Sequence, residues 1–152
     1  LLGEGAVLAR PNSLVIRTNF LCKSQSENRT GLLDFFLSAL SEGSAIQTYR
    51  DVLFSPLGAR SLARIVLELA DLGVSGVYNV GAREGQSKAE VFNRICSILR
   101  VAAPRVQVID SASIPNRTPR GVDLRMDVKK VEARLGRVMN TLEVELQEIL
   151  GA

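Results

Sequence analysis

Histidine and tryptophan are absent from this chain of 152 residues, and cysteine occurs only twice. Without histidine the chain supplies neither a Ser-His-Asp nor a Cys-His catalytic set. Two cysteines with no histidine do not make a zinc site of the usual kind. Cys22 and Cys96 lie far apart in apolar stretches, so they are expected to be buried free thiols rather than a disulfide framework. Aromatic residues make up only 5% of the chain and its arginines are scattered, which argues against a nucleic-acid surface. No apolar run approaches the roughly 20 residues of a membrane span. No signal-peptide pattern is visible either. The expectation is a cytoplasmic protein with no membrane or nucleic-acid partner. An initiator Met is missing too. Leu1, Leu2, Ala6 and Val7 share a helical face with no capping residue before them, so the start is expected to be the cut end of a longer helix.

What is present suits one folded unit: 46% hydrophobic, 23% charged, net charge +3. Residues 1–9 read as the end of a helix, closed by Pro11 and Asn12. LVIRT (14–18) is a β-branched run and reads as a buried strand. Residues 23–30 are polar and aperiodic, a loop. Apolar residues at 32, 33, 36, 39 and 40 have helical spacing, with Gly43 as the stop. IQTYRD (46–51) reads as a strand. Ser55 and Pro56 form a helix-start signal for a helix ended by Gly73. GVYNVG (76–81) and VQVID (106–110) read as strands, separated by a helix that the Ser87/Glu90 capping box opens. RGVDLRMD (120–127) alternates, with Val122, Leu124 and Met126 on one face. Asp127 is the expected cap of a helix closed by Gly136, and Asn140 of the last helix. Strands and helices in alternation predict an α/β fold.

Few constellations carry chemistry. Gly76, Gly81 and Gly85 follow a strand, but their spacing is not that of a dinucleotide loop, and a plain strand-to-helix turn is the better reading. Arg117, Arg120 and Arg125 lie near Asp123 and Asp127. A guanidinium fork matches two phosphate oxygens, so the stretch is either a charged strand edge or a diphosphate clamp. Thr18, Asn19 and Phe20 follow a strand, the position at which open α/β folds bind ligands. The N-x-T sites at Asn28 and Asn116 read as chance.

Four blocks occur in order: LLGE…LVIRTNF, RDVLFSPLGARSLARIVLEL, GVYNVGAREGQSKAEVFNRI and RGVDLRMDVKKVEARLG. Together they resemble the C-terminal half of an extended short-chain dehydrogenase/reductase of the dTDP-4-dehydrorhamnose reductase type. The resemblance implies the C-terminal part of a Rossmann-type fold: its last parallel strands plus the small substrate-binding region, with the dinucleotide-binding half lying before Leu1. It implies a 4-keto nucleotide-diphosphate sugar as substrate and NADPH or NADH as cofactor of the complete parent. A Tyr-x-x-x-Lys pair would serve as proton donor and ribose holder. Arg17, Thr18, Asn19 and Phe20 match the family's Arg-Thr-Ser-Trp, whose aromatic packs on the sugar; Phe20 keeps the aromatic face without the indole N–H. Asp51 to Leu57 match Asp-Gln-x-x-Ser-Pro-Thr, with Val52 and Leu57 in place of the polar residues. Arg120 and Asp123 match Arg-Pro-x-Asp, in which the Arg grips a diphosphate and the Asp assists on the nucleotide side.

The expected substrate contacts are therefore Thr18, Asn19, Phe20, Arg120 and Asp123. No catalytic, cofactor-binding or metal residue is expected within this chain. Neither Tyr49 nor Tyr78 has a lysine four residues on, and the 152-residue chain is expected to be inactive alone. The family also implies a homodimer. Two other readings stay open: an epimerase or dehydratase of the same superfamily, and a non-catalytic protein like the regulatory subunit of methionine adenosyltransferase.

Overall fold

A computed structural model describes residues 2–26, 30–116, 118 and 120–151. Helix α1 (Leu2–Leu8) leads into β1 (Leu14–Thr18) and the short β2 (Phe20–Leu21). Then follow α2 (Leu32–Glu42), β3 (Ile46–Tyr49), β4 (Leu53–Phe54), β5 (Leu57–Gly58) and α3 (Ala59–Asp71). Strand β6 (Gly76–Val80), β7 (Gln86–Ser87) and α4 (Lys88–Leu99) come next. The chain closes with β8 (Val106–Ile109), a 3-10 turn (Ser111–Ser113), β9 (Asp123–Leu124), α5 (Lys129–Leu135) and α6 (Leu142–Leu150). Asn28, Arg117 and Leu1 lie outside the described residues, so the expectations placed on them are not addressed.

The strands pair mostly in parallel: β1 with β6, β2 with β5, β3 with β8 and β4 with β9. Among the described residues only β7 runs antiparallel, against β4. Parallel pairs have their ends on the same side and need helical crossovers to join them, which is the α/β arrangement expected. One core lies between the strands and helices. Leu33 and Phe36 of α2 meet Phe92 and Ile95 of α4, all fully buried or nearly so. The rings of Phe36 and Phe92 are tilted, with centroids 5.0 Å apart, a favoured aromatic geometry.

Several local signals act as read. Ser87 Oγ accepts from the Glu90 N–H, and the Glu90 carboxylate accepts from the Ser87 N–H at 2.8 Å, closing the capping box of α4. Gly43 and Gly136 end α2 and α5 in left-handed geometry. Others differ. Helix α3 does not begin at Ser55 and Pro56. Leu57 is drawn into pairing with Phe20, its N–H donating to the Asn19 carbonyl, so the helix starts three residues later with Gly58 as N-cap. Thr141, not Asn140, caps α6; the Asn140 amide donates to Glu145 instead. Val128 occupies the N-cap position of α5, although the Asp127 carboxylate still accepts from the Lys129 N–H.

Two apolar faces read in the sequence are exposed in large part. Helix α1 has no buried residue, and Leu2 is 95% exposed. It is tied to β1 by a two-pronged ion pair, Arg17 Nε and Nη2 donating to Glu4 Oε1 and Oε2 at 2.8 and 2.7 Å. Val122 and Leu124 are each 45% exposed. Their alternation reflects a strand pairing only over Asp123–Leu124, at the rim of a cleft rather than over the core.

Candidate functional site

The site is assembled by the small sheet β7-β4-β9 and by the turn after β1. Phe54 lies opposite Leu124 on one side and Gln86 on the other, so β4 brings β9 and the start of α4 together. Asn19 then ties in β1: its Nδ2 donates to the Leu124 carbonyl at 2.9 Å, and its Oδ1 accepts from the Ser55 N–H at 3.1 Å. Ser55 Oγ accepts from the Met126 N–H at 2.9 Å. Residues far apart in sequence thus close one wall through two short polar side chains, whose bonds replace the water the backbone groups would lose.

Beneath that wall is a cavity of about 510 Å³, lined among others by Phe20, Leu32, Phe54, Leu124, Cys22 and Lys88. It is mostly apolar with few polar groups, the usual character of a small-molecule cleft. Phe20 stands at its mouth, 57% exposed. Ser24, Thr30 and Gly31 border it, and the Asp34 carboxylate accepts from the Ser24 and Gly31 N–H groups. A second cleft of about 540 Å³ is lined by Tyr49, Lys88, Pro115, Asn116, Thr118 and Arg120. Two residues after Tyr49, the Asp51 carboxylate accepts from the N–H and hydroxyl of Ser111. Those bonds keep the Asp51 carboxyl below its ordinary value. Lys88 borders both clefts.

The five expected contacts separate here. Asn19 and Phe20 line the first cleft and Arg120 the second. Thr18 lines neither; its hydroxyl donates to the Asn19 carbonyl at 3.3 Å. Asp123 lines neither and is held by Arg125, with Nε and Nη2 donating to its two carboxylate oxygens at 2.9 and 2.6 Å. That guanidinium, assisted by the Arg125 N–H, brings the Asp123 carboxyl from 3.8 down to about 2. Such a depressed group adds stability above pH 3.8 and loses it as the pH falls through about 2. Arg125→Met should return the Asp123 midpoint towards 3.8, read by carboxyl-carbon NMR titration; an unmoved midpoint would contradict the pairing.

Gly81 and Gly85 do not form a cradle for a phosphate. A Cβ on Gly81 would lie 2.8 Å from the Ser55 carbonyl oxygen, and one on Gly85 2.7 Å from that of Phe54. The loop is filled by β4 and its neighbours, so it does not fit a dinucleotide. Cys96 is buried and its thiol is pushed up by that burial, whereas Cys22 is half-buried on the first cleft. Among the described residues no cluster of three or more histidine, cysteine or acidic side chains is placed to hold a metal. No described helix is long and apolar enough to cross a membrane.

Sequence reading missed Lys88, Asp34 and the tie through Ser55. Lys88 carried one signal: it is the first residue of a helix, where the dipole disfavours a cation.

Parallel strand pairs wrapped by helices define part of a Rossmann-type α/β fold. A family model described as the RmlD substrate binding domain matches residues 1–152, and the chain belongs to that family. A curated relative from Haloferax volcanii, named "Probable low-salt glycan biosynthesis reductase Agl14", is 27% identical over the whole chain and 52% of its own length. The crystal structure of dTDP-4-dehydrorhamnose reductase from Bacillus anthracis in complex with NADP superposes with a TM-score of 0.78 at 16% identity, over 90% of this chain and 47% of that one. A hypothetical dTDP-4-dehydrorhamnose reductase from Sulfolobus tokodaii gives a TM-score of 0.76 at 26% identity, over 95% and 50%. This chain therefore spans about half the length of the relatives it matches.

Proposed function

We propose that the chain is the substrate-binding, C-terminal part of an NAD(P)-dependent reductase acting on a 4-keto nucleotide-diphosphate sugar. The observation that carries this reading is the pair of adjoining clefts, one walled by Phe20 and apolar side chains, the other bordered by Arg120. A sugar ring offers C–H faces to an aromatic ring, and a diphosphate offers paired oxygens to a guanidinium. Phe20 packs on the sugar, Arg120 grips the diphosphate, and Asn19 holds the wall of the first cleft.

The reacting groups and the cofactor loop belong, in this reading, to a preceding dinucleotide-binding half. Two features support it. Among the described residues β1 pairs only with β6, which leaves its other edge open, whereas parallel strands ordinarily sit inside larger covered sheets. Helix α1 beside it keeps its apolar residues uncovered. A partner half that extends the sheet from β1 and covers α1 would satisfy both.

The complete protein should oxidise NADPH when supplied with a dTDP-4-keto sugar, followed by absorbance at the nicotinamide band, and the 152-residue chain alone should not. A folded complete protein without turnover rejects the reductase reading. Arg120→Ala should weaken nucleotide-sugar binding by about 1.5–3 kcal/mol, the scale of a hydrogen bond to a charged group. Calorimetry giving unchanged affinity would remove Arg120 from the site.

A further inference from the structure

We infer that Lys88 is the cation on which the ligand's phosphoryl group rests, and that it sets the ligand's position across the two clefts; the inference rests on the nucleotide-sugar reading above. Among the described residues Lys88 is the one that lines both clefts, with Phe20 bordering the first and Arg120 the second. A ligand with a ring at one end and an anionic linker at its middle, laid from Phe20 towards Arg120, passes Lys88 at its linker.

Helix energetics do not explain this lysine. It is the first residue of the 12-residue helix α4. Backbone N–H groups there make the helix end electropositive, and a cation adds to that field instead of offsetting it. The capping is done by its neighbours: Ser87 and Glu90 bond to each other, and the Glu90 carboxyl is held low by the N–H and hydroxyl of Ser87. The Lys88 N–H is fixed to the Val52 carbonyl at 3.1 Å. Its ammonium lies 5.6 Å from the centroid of the Tyr49 ring, and Tyr49 lines the second cleft. The stem is thus anchored by backbone and the head steadied over an aromatic face. A flexible ammonium is a point charge that adapts to either phosphate of a diphosphate, whereas Arg120 supplies the planar fork.

The test is calorimetric titration of the complete protein with dTDP and, separately, with inorganic pyrophosphate. Lys88→Met should weaken both about tenfold, and Lys88→Arg should stay within about threefold of the parent for both. The melting temperature of Lys88→Arg, which keeps the charge, should match the parent, and that of Lys88→Met should match it or rise, since the lost charge opposes the helix dipole. If the parent binds dTDP and Lys88→Met binds it equally well, the inference on Lys88 falls and the nucleotide-sugar reading stands. If the parent binds neither dTDP nor pyrophosphate, the nucleotide-sugar reading itself falls. If Lys88→Met weakens dTDP binding only together with a lowered melting temperature, and Lys88→Arg does the same, the residue is structural and the inference is overturned.

Discussion

Alanine at Gly81 is expected to lower the unfolding free energy by about 3 kcal/mol, the upper end of ordinary overpacking costs. The added carbon would meet the Ser55 carbonyl oxygen at 2.8 Å and Met126 Cβ at 2.9 Å. Neither is the movable end of a long side chain. Ser55 is held on three sides: its N–H to Asn19, its Oγ to the Met126 N–H, and its carbonyl to the Ala82 N–H at 2.9 Å. The strain therefore passes directly into the wall of the first cleft, and ligand affinity should fall with stability. Gly3 provides the control, because a Cβ there meets nothing within 4 Å. Gly3→Ala within helix α1 should be neutral, or stabilising by about 0.5–1 kcal/mol. Urea unfolding of both variants decides the matter; a Gly81→Ala protein as stable as the parent would refute the close approach.

Glu145→Ala should cost about 3 kcal/mol or more, the sum of a lost charged hydrogen bond and a cavity. The side chain of Glu145 is fully buried in α6, yet no cation faces it among the described ion pairs. It is held by two donors instead, the Gly58 N–H at 2.7 Å and the Asn140 amide at 2.8 Å. Gly58 is the N-cap of α3, so the carboxylate also faces the electropositive end of that helix. Glu145 thus does for α3 what Ser55 was expected to do. Glu145→Gln keeps the acceptor for Gly58 and should cost clearly less than Glu145→Ala. Equal losses in the two variants, measured by chemical unfolding, would show that packing rather than the hydrogen bonds sets the cost.

The elements that could be read directly are those whose cause is local. The capping box at Ser87 and Glu90 satisfies its own helix end, and Gly43 and Gly136 end helices because left-handed backbone is cheap for glycine. The parallel strands LVIRT and GVYNV are recognisable because β-branched runs suit a pleated surface. The order of four sequence blocks was enough to place the chain in its family. At Ser55 the same method failed. Ser-Pro is a sound local start signal, but the pairing of Leu57 with Phe20 overrode it, and that pairing depends on a strand 37 residues away. The alternation of Val122, Leu124 and Met126 was visible as a pattern, but the pattern does not say whether its apolar face meets a core or a cleft.

For the site, Phe20 was named by its place after a strand and by the family resemblance, Arg120 by its guanidinium fork and the same resemblance, and Asp123 by the resemblance. The fold puts Phe20 and Arg120 on the two clefts and pairs the Asp123 carboxylate with Arg125. Lys88 drew no attention, since its role arises only where β7 lays the start of α4 beside β4 and opens the chain towards both clefts. Composition, capping chemistry and block order therefore established the α/β class, the start of α4, the ends of α2 and α5 and the family, readings that rest on residues close together in the chain. Which side chains share a cleft, which glycines admit a neighbouring carbonyl and which carboxylate caps α3 were decided by long-range packing. There the free energy of burying a distant strand or satisfying a buried donor outweighs any local preference.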